Sequence, residues 1–520
     1  PPDFGSNVVI IEPGNFTAEQ QKKLGDIYWH GRDWSNPSQF GNRRTAVFLK
    51  PGNHSVDINV PYYFSVLGLG LKPGDVAVHP GPQKIGIQVD LQDNKHSLNA
   101  FWRSLENLQT FQWRLNWWVS QAAPIRSVIV EGELFLSGGP PASGGCLANS
   151  QVKGRLETGS QQQWYARGNS MRPFPRASWR GSYVCVGCLD ATQKDEPFKL
   201  SYSWNASKQS HHTGLSYTEP PEVFAEKPHV AFRQGRYYLS IPKVRRKHWG
   251  HDWDPGDVVD FKMVFVVRED STASEINAKM ASGLHVVFPP GIYTLDAPLE
   301  INRTGTVLLG LGYATLVPKY KHRALIRVND ADNVRIAGLI LQAGPEDLQT
   351  RALLQWGAEG SDYKGDPAKP GIMHDLVFRV GGPDWKAVGT RYMLQVNNGW
   401  VLGDNLWMWA ADHCVDNVGL CCKPARKVET ALQVNGPNVH MYGISAEHTE
   451  GDIVEWNGRA GSVSFLQTEF RYDKPSTADY WSRSAAMRIT PSDFRGVSLD
   501  IYVVMVWGCR DKFGHRLPRL

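Results

Sequence analysis

The chain has no apolar run near the roughly 18–20 residues that a membrane-spanning helix needs, so no membrane partner is expected. It has little excess of either charge: 56 Lys and Arg against 51 Asp and Glu leave a formal +5 over 520 residues. No basic run exceeds Lys243-Val-Arg-Arg-Lys247, which argues against nucleic acid as a partner. Cysteine is scarce. The seven (Cys146, Cys185, Cys188, Cys414, Cys421, Cys422 and Cys509) are odd in number, so they cannot all pair within the chain. Cys185-x-x-Cys188 has no second pair at zinc-finger spacing and reads as buried thiols or a disulfide rather than a structural zinc site. No phosphate loop, dinucleotide glycine pattern or Gly-x-Ser-x-Gly elbow is present, and neither a cofactor nor a metal is expected. The opening Pro1-Pro2-Asp3 is not a signal peptide; a leader is expected to have been removed or left out.

What is present is repetition. The 50 Gly and 33 Pro suit short strands and many turns. A length of 520 residues exceeds one compact core and calls for two domains or a long repeat architecture. A helix is predicted over 17–27, where Thr17 and Gln20 make a capping box, and a second over 274–281. Each precedes a similar block: Val47-Phe-Leu-Lys-Pro-Gly52 leading to Leu67-Gly-Leu-Gly70, and Val286-Val-Phe-Pro-Pro-Gly291 leading to Leu309-Gly-Leu-Gly312. The chain therefore reads as duplicated, with domains 1–268 and 269–520. In the second half an opener recurs: Ile326-Arg-Val-Asn329, Leu394-Gln-Val-Asn397, Leu432-Gln-Val-Asn435 and Val454-Glu-Trp-Asn457, with a degenerate Met487-Arg-Ile-Thr490. The period is 22 residues at its tightest and about 40 where loops are inserted, which means a solenoid. Short strands favour a right-handed parallel β-helix, with each Asn in left-handed geometry and its amide laddered along the stack. In the first half the coils are less regular, but Gln121 and Ser143 again stand 22 apart.

Twelve residues after Asn435 comes Glu447, twelve after Asn457 comes Glu469, and twelve after Asn397 comes Trp409. Adjacent coils lie about 4.8 Å apart, so two carboxyls in one slot cannot both ionise cheaply and one pKa should rise. A carboxyl kept protonated is what a general acid needs, and an aromatic beside it suits a sugar subsite. Paired acids on a solenoid face also arise without catalysis, and spacing alone does not separate the two. His248-x-x-His251-Asp252-x-Asp254 has metal-like composition but reads as a plain inter-domain loop, and His211-His212 as a surface pair. Asp412-His413 suits either a sugar contact or a coil-edge brace.

These residues resemble the bacterial branch of glycoside hydrolase family 55, the β-1,3-glucanases or laminarinases. The likeness runs through Phe101-Trp-Arg-Ser-Leu-Glu-Asn107, Val119-Ser-Gln-Ala-Ala-Pro124, Ala142-Ser-Gly-Gly145, Ser160-Gln-Gln-Gln-Trp164, Ala411-Asp-His413, Glu447-His448 and Gln467-Thr-Glu469. The resemblance implies an all-β, pectin-lyase-like fold of two tandem right-handed parallel β-helices, side by side with a cleft between them. It implies a secreted, monomeric, metal-free exo-hydrolase of β-1,3-glucan (laminarin) that releases glucose with inversion. By motif, Glu469 matches the general acid. Glu447, Ser143 and Gln121 match the set that holds the attacking water. Trp409, Tyr472 and His413 match substrate-binding positions. By separation alone a close acid pair would predict retention, so the inverting outcome comes from the resemblance. Two departures stand out: Thr468 replaces the usual Asn, and Cys414 the usual Gly. Only 51 residues follow Glu469, so the last coils are expected to be missing or replaced. A β-helix polysaccharide lyase and a non-catalytic glucan-binding or structural protein are the alternatives.

Overall fold

The structure, a computed structural model, describes residues 2–31, 36–89, 97–138, 141–175, 181–204, 214–383, 387–415, 426–472 and 480–502. It is all-β, built mostly of parallel sheets with few helices. Two compact units form. The first comprises 1–268 with 284–291 and 307–314; the second comprises 269–283, 292–306 and 315–520. The division is thus not a single cut, and the second Leu-Gly-Leu-Gly segment, 309–312, packs within the first unit.

The first unit begins with helix α1 (Ala18–Gly31), capped as the sequence predicts: Gln20 N donates to Thr17 Oγ1 at 3.1 Å and Thr17 N donates to Gln20 Oε1 at 3.0 Å. Its main parallel run stacks β1 (Thr45–Leu49), β2 (Phe64–Gly68), β3 (Arg103–Thr110), β4 (Pro124–Val130), β5 (Cys146–Ala148), β6 (Gln163–Arg167), β7 (Ser182–Val186) and β8 (Gly214–Thr218) in that order. Inward residues such as Val66, Leu105, Ile125, Leu147 and Trp164 are fully buried in one continuous core. The chain bends through Asn107 and Ser127 inside β3 and β4, and through Asn149, Gly168 and Gly187 just past β5–β7, all with φ between 53° and 62°. Cys185 and Cys188 form a disulfide with an S–S distance of 2.02 Å, while Cys146 and Cys414 are buried. Cys421, Cys422 and Cys509 lie outside the described residues.

In the second unit, helix α2 (Ala273–Ala281) is capped by Thr272, whose Oγ1 accepts from Glu275 N at 3.2 Å. The strands then run β9 (Leu299–Ile301), β10 (Ile326–Val328), β11 (Thr350–Trp356), β12 (Gly371–Val380), β13 (Val388–Val396), β14 (Val401–Ala410), β15 (Arg426–Val434), β16 (His440–Glu447), β17 (Val454–Trp456), β18 (Ser462–Glu469), β19 (Met487–Ile489) and β20 (Arg495–Tyr502). From β11 onward they alternate between two parallel sheets. One orders β9-β10-β11-β13-β15-β17-β19. The other pairs β12, β14, β16, β18 and β20 in turn. Every opener read from the sequence lies in the first of these sheets, in register. Two more were overlooked: Leu299-Glu-Ile-Asn302 and Leu354-Gln-Trp-Gly357, the second hidden because Gly357 stands where the others carry Asn.

The amide ladder forms. Asn435 Nδ2 donates to Asn397 Oδ1 at 2.8 Å, Asn457 Nδ2 donates to Asn435 Oδ1 at 3.0 Å, and Thr490 Oγ1 donates to Asn457 Oδ1 at 2.9 Å. The expected left-handed backbone is not at these asparagines. It sits instead inside the other sheet, at Gly338, Asp375, Asn405, Gly443 and Phe465. These positions are skipped in the strand register, so each strand bends at the same level and its far end is re-aimed as one row.

Candidate active site

The far ends of β14, β16 and β18 carry the acids. Trp409, Glu447 and Glu469 pair directly across these three strands. Two residues upstream, Trp407, Ser445 and Gln467 pair in the same way. Residues two apart on a strand share a face, so these six side chains form one two-by-three patch with rows about 4.8 Å apart. The twelve-residue spacing from ladder Asn to acid thus becomes a physical adjacency of two carboxyls.

Each carboxyl is held by named donors. Trp407 Nε1 donates to Glu447 Oε1 at 3.1 Å. Gln467 Nε2 donates to Glu469 Oε1 at 2.7 Å, and the same side chain hydrogen-bonds Glu447, so one buried amide ties the acids together. Tyr472 Oη donates to Glu469 Oε2. His448 Nδ1 donates to the Ala410 carbonyl at 3.0 Å, which turns Nε2 toward Glu469 Oε2 at 3.6 Å. Asp412 Oδ1 meets His413 Nδ1 at 2.8 Å.

The acids differ in exposure. Glu447 is 3% exposed, whereas the Glu469 side chain is 13% exposed. Burial, then the charges of Glu469 and Asp412, push the Glu447 carboxyl well above the usual range, against the pull of the Trp407 and Gln467 hydrogen bonds. Burial works on Asp412 in the same sense but is overcome by His413, His448 and Arg426, which hold it well below the usual range. Burial and the nearby carboxylates push the Tyr472 phenol far up, so it remains a proton-bearing donor to Glu469. The Glu447 carboxyl is thus biased toward its protonated form, beside an ionised Asp412.

The family described as the LAM55 pectate lyase-like domain matches residues 264–469. An exo-beta-1,3-glucanase from Streptomyces sp. (strain SirexAA-E / ActE) is 34% identical over 489 residues, which is 92% of this chain and 74% of that protein. The chain belongs to the Lam55 family, glycoside hydrolase family 55. The solved structure of sacteLam55A from Streptomyces sp. SirexAA-E superposes with a TM-score of 0.83 at 29% identity, covering 97% of this chain and 88% of that one. A glutamate-to-alanine variant of sacteLam55A in complex with glucose superposes with a TM-score of 0.77 at 30% identity, covering 92% and 82%.

In this Lam55 chain the residues singled out from sequence fall into two groups. Glu447, Glu469, Trp409, His413 and Tyr472 belong to the second unit, and Gln121 and Ser143 to the first. Gln121 Nε2 lies 3.5 Å from Ser143 Oγ, and Gln163 Nε2 reaches the same hydroxyl at 3.4 Å, making a short polar row. Ser143 is fixed further by its backbone N–H donating to Ser120 Oγ at 2.9 Å. Trp409 sits in the predicted slot but offers no open stacking face. It is 2% exposed, stacked on Trp407 at 4.9 Å and packed beside His413, so it walls the acid pair from behind. Tyr472 is half-buried, with its ring edge-on to His448 at 4.5 Å.

Gln467, Trp407 and His448 were given no role from sequence alone, and Asp412 only that of a sugar contact or a coil-edge brace. The first two could have been found by the period of two: each stands two residues before a residue already chosen. His248 and His251 lie in an ion-paired loop, where Arg245 bonds Asp252 at 2.9 Å and Asp254 at 2.5 Å. His211 and His212 lie outside the described residues.

Proposed function

We propose that this chain is an exo-acting glycoside hydrolase that cleaves β-1,3-glucan such as laminarin and releases glucose with inversion. One observation carries the reading: two carboxyls in register on adjacent strands, the more buried with its pKa raised by burial and then by its neighbour, in a chain aligned along 92% of its length with an exo-beta-1,3-glucanase. Glu469, the more exposed acid, protonates the leaving glycosidic oxygen. Water attacks the anomeric carbon from the opposite face, held by Glu447 with Ser143 and Gln121. His413 and Tyr472 meet the sugar, and Trp409 shapes the wall behind it. No metal is needed in this scheme. Alternation of the strands between parallel sheets in the second unit, and the parallel stack β1–β8 in the first, support a right-handed β-helix for each, because parallel crossovers are almost always right-handed. The Cys185–Cys188 disulfide supports secretion into an oxidising medium, where a polymeric substrate is met, and the chain is taken to act as a monomer.

The test is to incubate the protein with laminarin and follow products by chromatography and proton NMR. Glucose alone from the first time point, appearing as the α-anomer, is the expected result. Longer oligosaccharides first, or the β-anomer, would sink the exo or the inverting part respectively. A rise in absorbance near 235 nm on a uronate polymer would favour a lyase instead.

A second reading exchanges the acids' roles, because Glu447 is the carboxyl whose pKa is raised. Glucosides with good leaving groups separate the two. A variant lacking the true acid regains rate on an activated aryl glucoside, while a variant lacking the water-holding group does not. Glu469→Gln is the variant expected to be rescued; rescue of Glu447→Gln alone would reverse the assignment.

A further inference from the structure

On the first unit, remote in sequence from the acids, Trp113 is 78% exposed and Phe111 is 41% exposed. They are held outward by the residue between them. Gln112 is buried, and its amide is fully used. Oε1 accepts from Ile87 N at 2.9 Å and Thr110 Oγ1 at 3.0 Å, while Nε2 donates to the carbonyls of Ile87 at 2.8 Å and Arg114 at 2.9 Å. With Gln112 anchored inward, its two neighbours face solvent. Phe111 is further fixed by stacking on His79 at 4.5 Å and 11°. An exposed aromatic pair that is already ordered loses little entropy when something stacks on it.

Beside Trp113 the turns of successive coils stack backbone on backbone, with no side chain between them. The next coils present glycines there. A Cβ on Gly132 would lie 2.3 Å from the Trp113 carbonyl oxygen, and one on Gly154 would lie 2.2 Å from the Gly132 carbonyl oxygen. The result is a side-chain-free shelf about 10 Å long across three coils. Paired charges line it on both sides. Lys153 bonds Glu131 at 2.7 Å on one side, and Glu133 takes Arg114 and Arg155, each at 3.3 Å, on the other. The pairs are near balance in sign, so no polyanion or polycation is selected. The aromatic area is two side chains, too small for a stable protein interface. Flat aromatic faces flanked by fixed acceptors and donors match the apolar ring faces and equatorial hydroxyls of a neutral sugar.

We propose a second, non-catalytic glucan-binding site on the first unit, formed by Trp113, Phe111 and the glycine shelf between the two charged rims. It takes a few consecutive residues of a β-1,3-glucan chain. It rests on the reading of the chain as a β-1,3-glucan hydrolase, and it acts on long substrate only. A polymer tethered at Trp113 has a raised effective concentration at the acids, and a short oligosaccharide gains nothing.

The test compares Trp113→Ala with the wild type on laminarin and on laminaritriose, and measures retention on insoluble β-1,3-glucan in a Glu469→Gln background that prevents turnover. Retention should weaken and KM for laminarin should rise, each about three- to tenfold, with kcat and all laminaritriose kinetics unchanged. Phe111→Ala should show a smaller effect of the same kind, and Trp113→Phe should restore most of the loss. Because Trp113 is mostly in solvent, the variants should melt with the wild type. Turnover with retention and polymer KM indifferent to both substitutions would overturn the second site and leave the hydrolase standing. Retention abolished by Trp113→Ala in a protein that hydrolyses no glucan would keep the site and sink the hydrolase. A wild-type dimer that Trp113→Ala converts to monomer in sedimentation would show that a second copy covers this face, which also overturns the proposal.

Discussion

The two units keep successive coils in register by different chemistry. The second uses an amide ladder at the coil edge, in which Asn457 donates to Asn435 and Asn435 to the buried Asn397, with no left-handed residue at the ladder itself. Both units carry a left-handed row, Asn107-Ser127-Asn149-Gly168-Gly187 in the first and Asp375-Asn405-Gly443-Phe465 in the second, and the first adds buried ion pairs: Lys227 with Glu106 at 2.8 Å and Arg167 with Glu226 at 2.7 Å. The steps along this row in the first unit stay between 19 and 22 residues. Ladder steps in the second range from 22, between Asn435 and Asn457, to 40, between Gly357 and Asn397. A ladder on the outside fixes only where each coil begins its next strand, so a loop can lengthen without displacing the coil after it. Along its row the first unit keeps an even step, but elsewhere it too carries longer ones, 39 residues from Phe64 to Arg103 and 32 from Ser182 to Gly214. The outside ladder lets the second unit carry long inserts and still hold Glu447 opposite Glu469.

The largest effect should come from testing where the chemistry resides. Glu469→Gln should lower kcat on laminarin about 10³-fold, while Ser143→Ala and Gln121→Ala in the first unit should each cost about tenfold. Equal losses from both units, measured under saturating substrate, would erase the contrast. In stability the order of the units reverses. Asn149→Ala removes a bond to Ser127, two to Asp252, and places alanine at φ 53°, so it should cost about 3 kcal/mol in urea melts.

The acid pair should be a local liability. Glu447 has its carboxyl pKa raised on folding, so its contribution is complete below the usual carboxyl range and is lost as pH rises through the raised value. Glu447→Gln should therefore gain stability relative to wild type as pH rises above the usual carboxyl range. A difference independent of pH would show that burial does not raise the Glu447 pKa. The smallest effect belongs to the ladder: Asn435→Ala, solvent-facing and replaceable by water, should cost about 1 kcal/mol. A cost as large as that of Asn149→Ala would mean that the amide ladder, not the left-handed row, is the more rigid device.

Much of the second unit was legible because its signals are local. The opener and the twelve-residue step from Asn to acid depend on residues close in the chain, as does the capping box of Thr17 and Gln20 in the first unit. The coil at Leu354-Gln-Trp-Gly357 escaped because glycine erases the marker while leaving the strand intact. The left-handed row through Asp375, Asn405 and Phe465 had no readable signature, since aspartate and phenylalanine do not announce that conformation. Trp409 was placed in the right slot but with the wrong exposure, because the stacking partner that buries it, Trp407, is a neighbour by pleat rather than by motif.

The sequence by itself determined the register, and with it the pairing of Glu447 with Glu469, because strand spacing is fixed and every coil starts from the same laddered position. Only the tertiary structure decided what each acid experiences. Gln467 joins the two, Trp407 and Tyr472 take one each, and Asp412 adds charge from a loop. Those influences act over a few ångströms through desolvation and charge, and they depend on which side chains folding brings within that range.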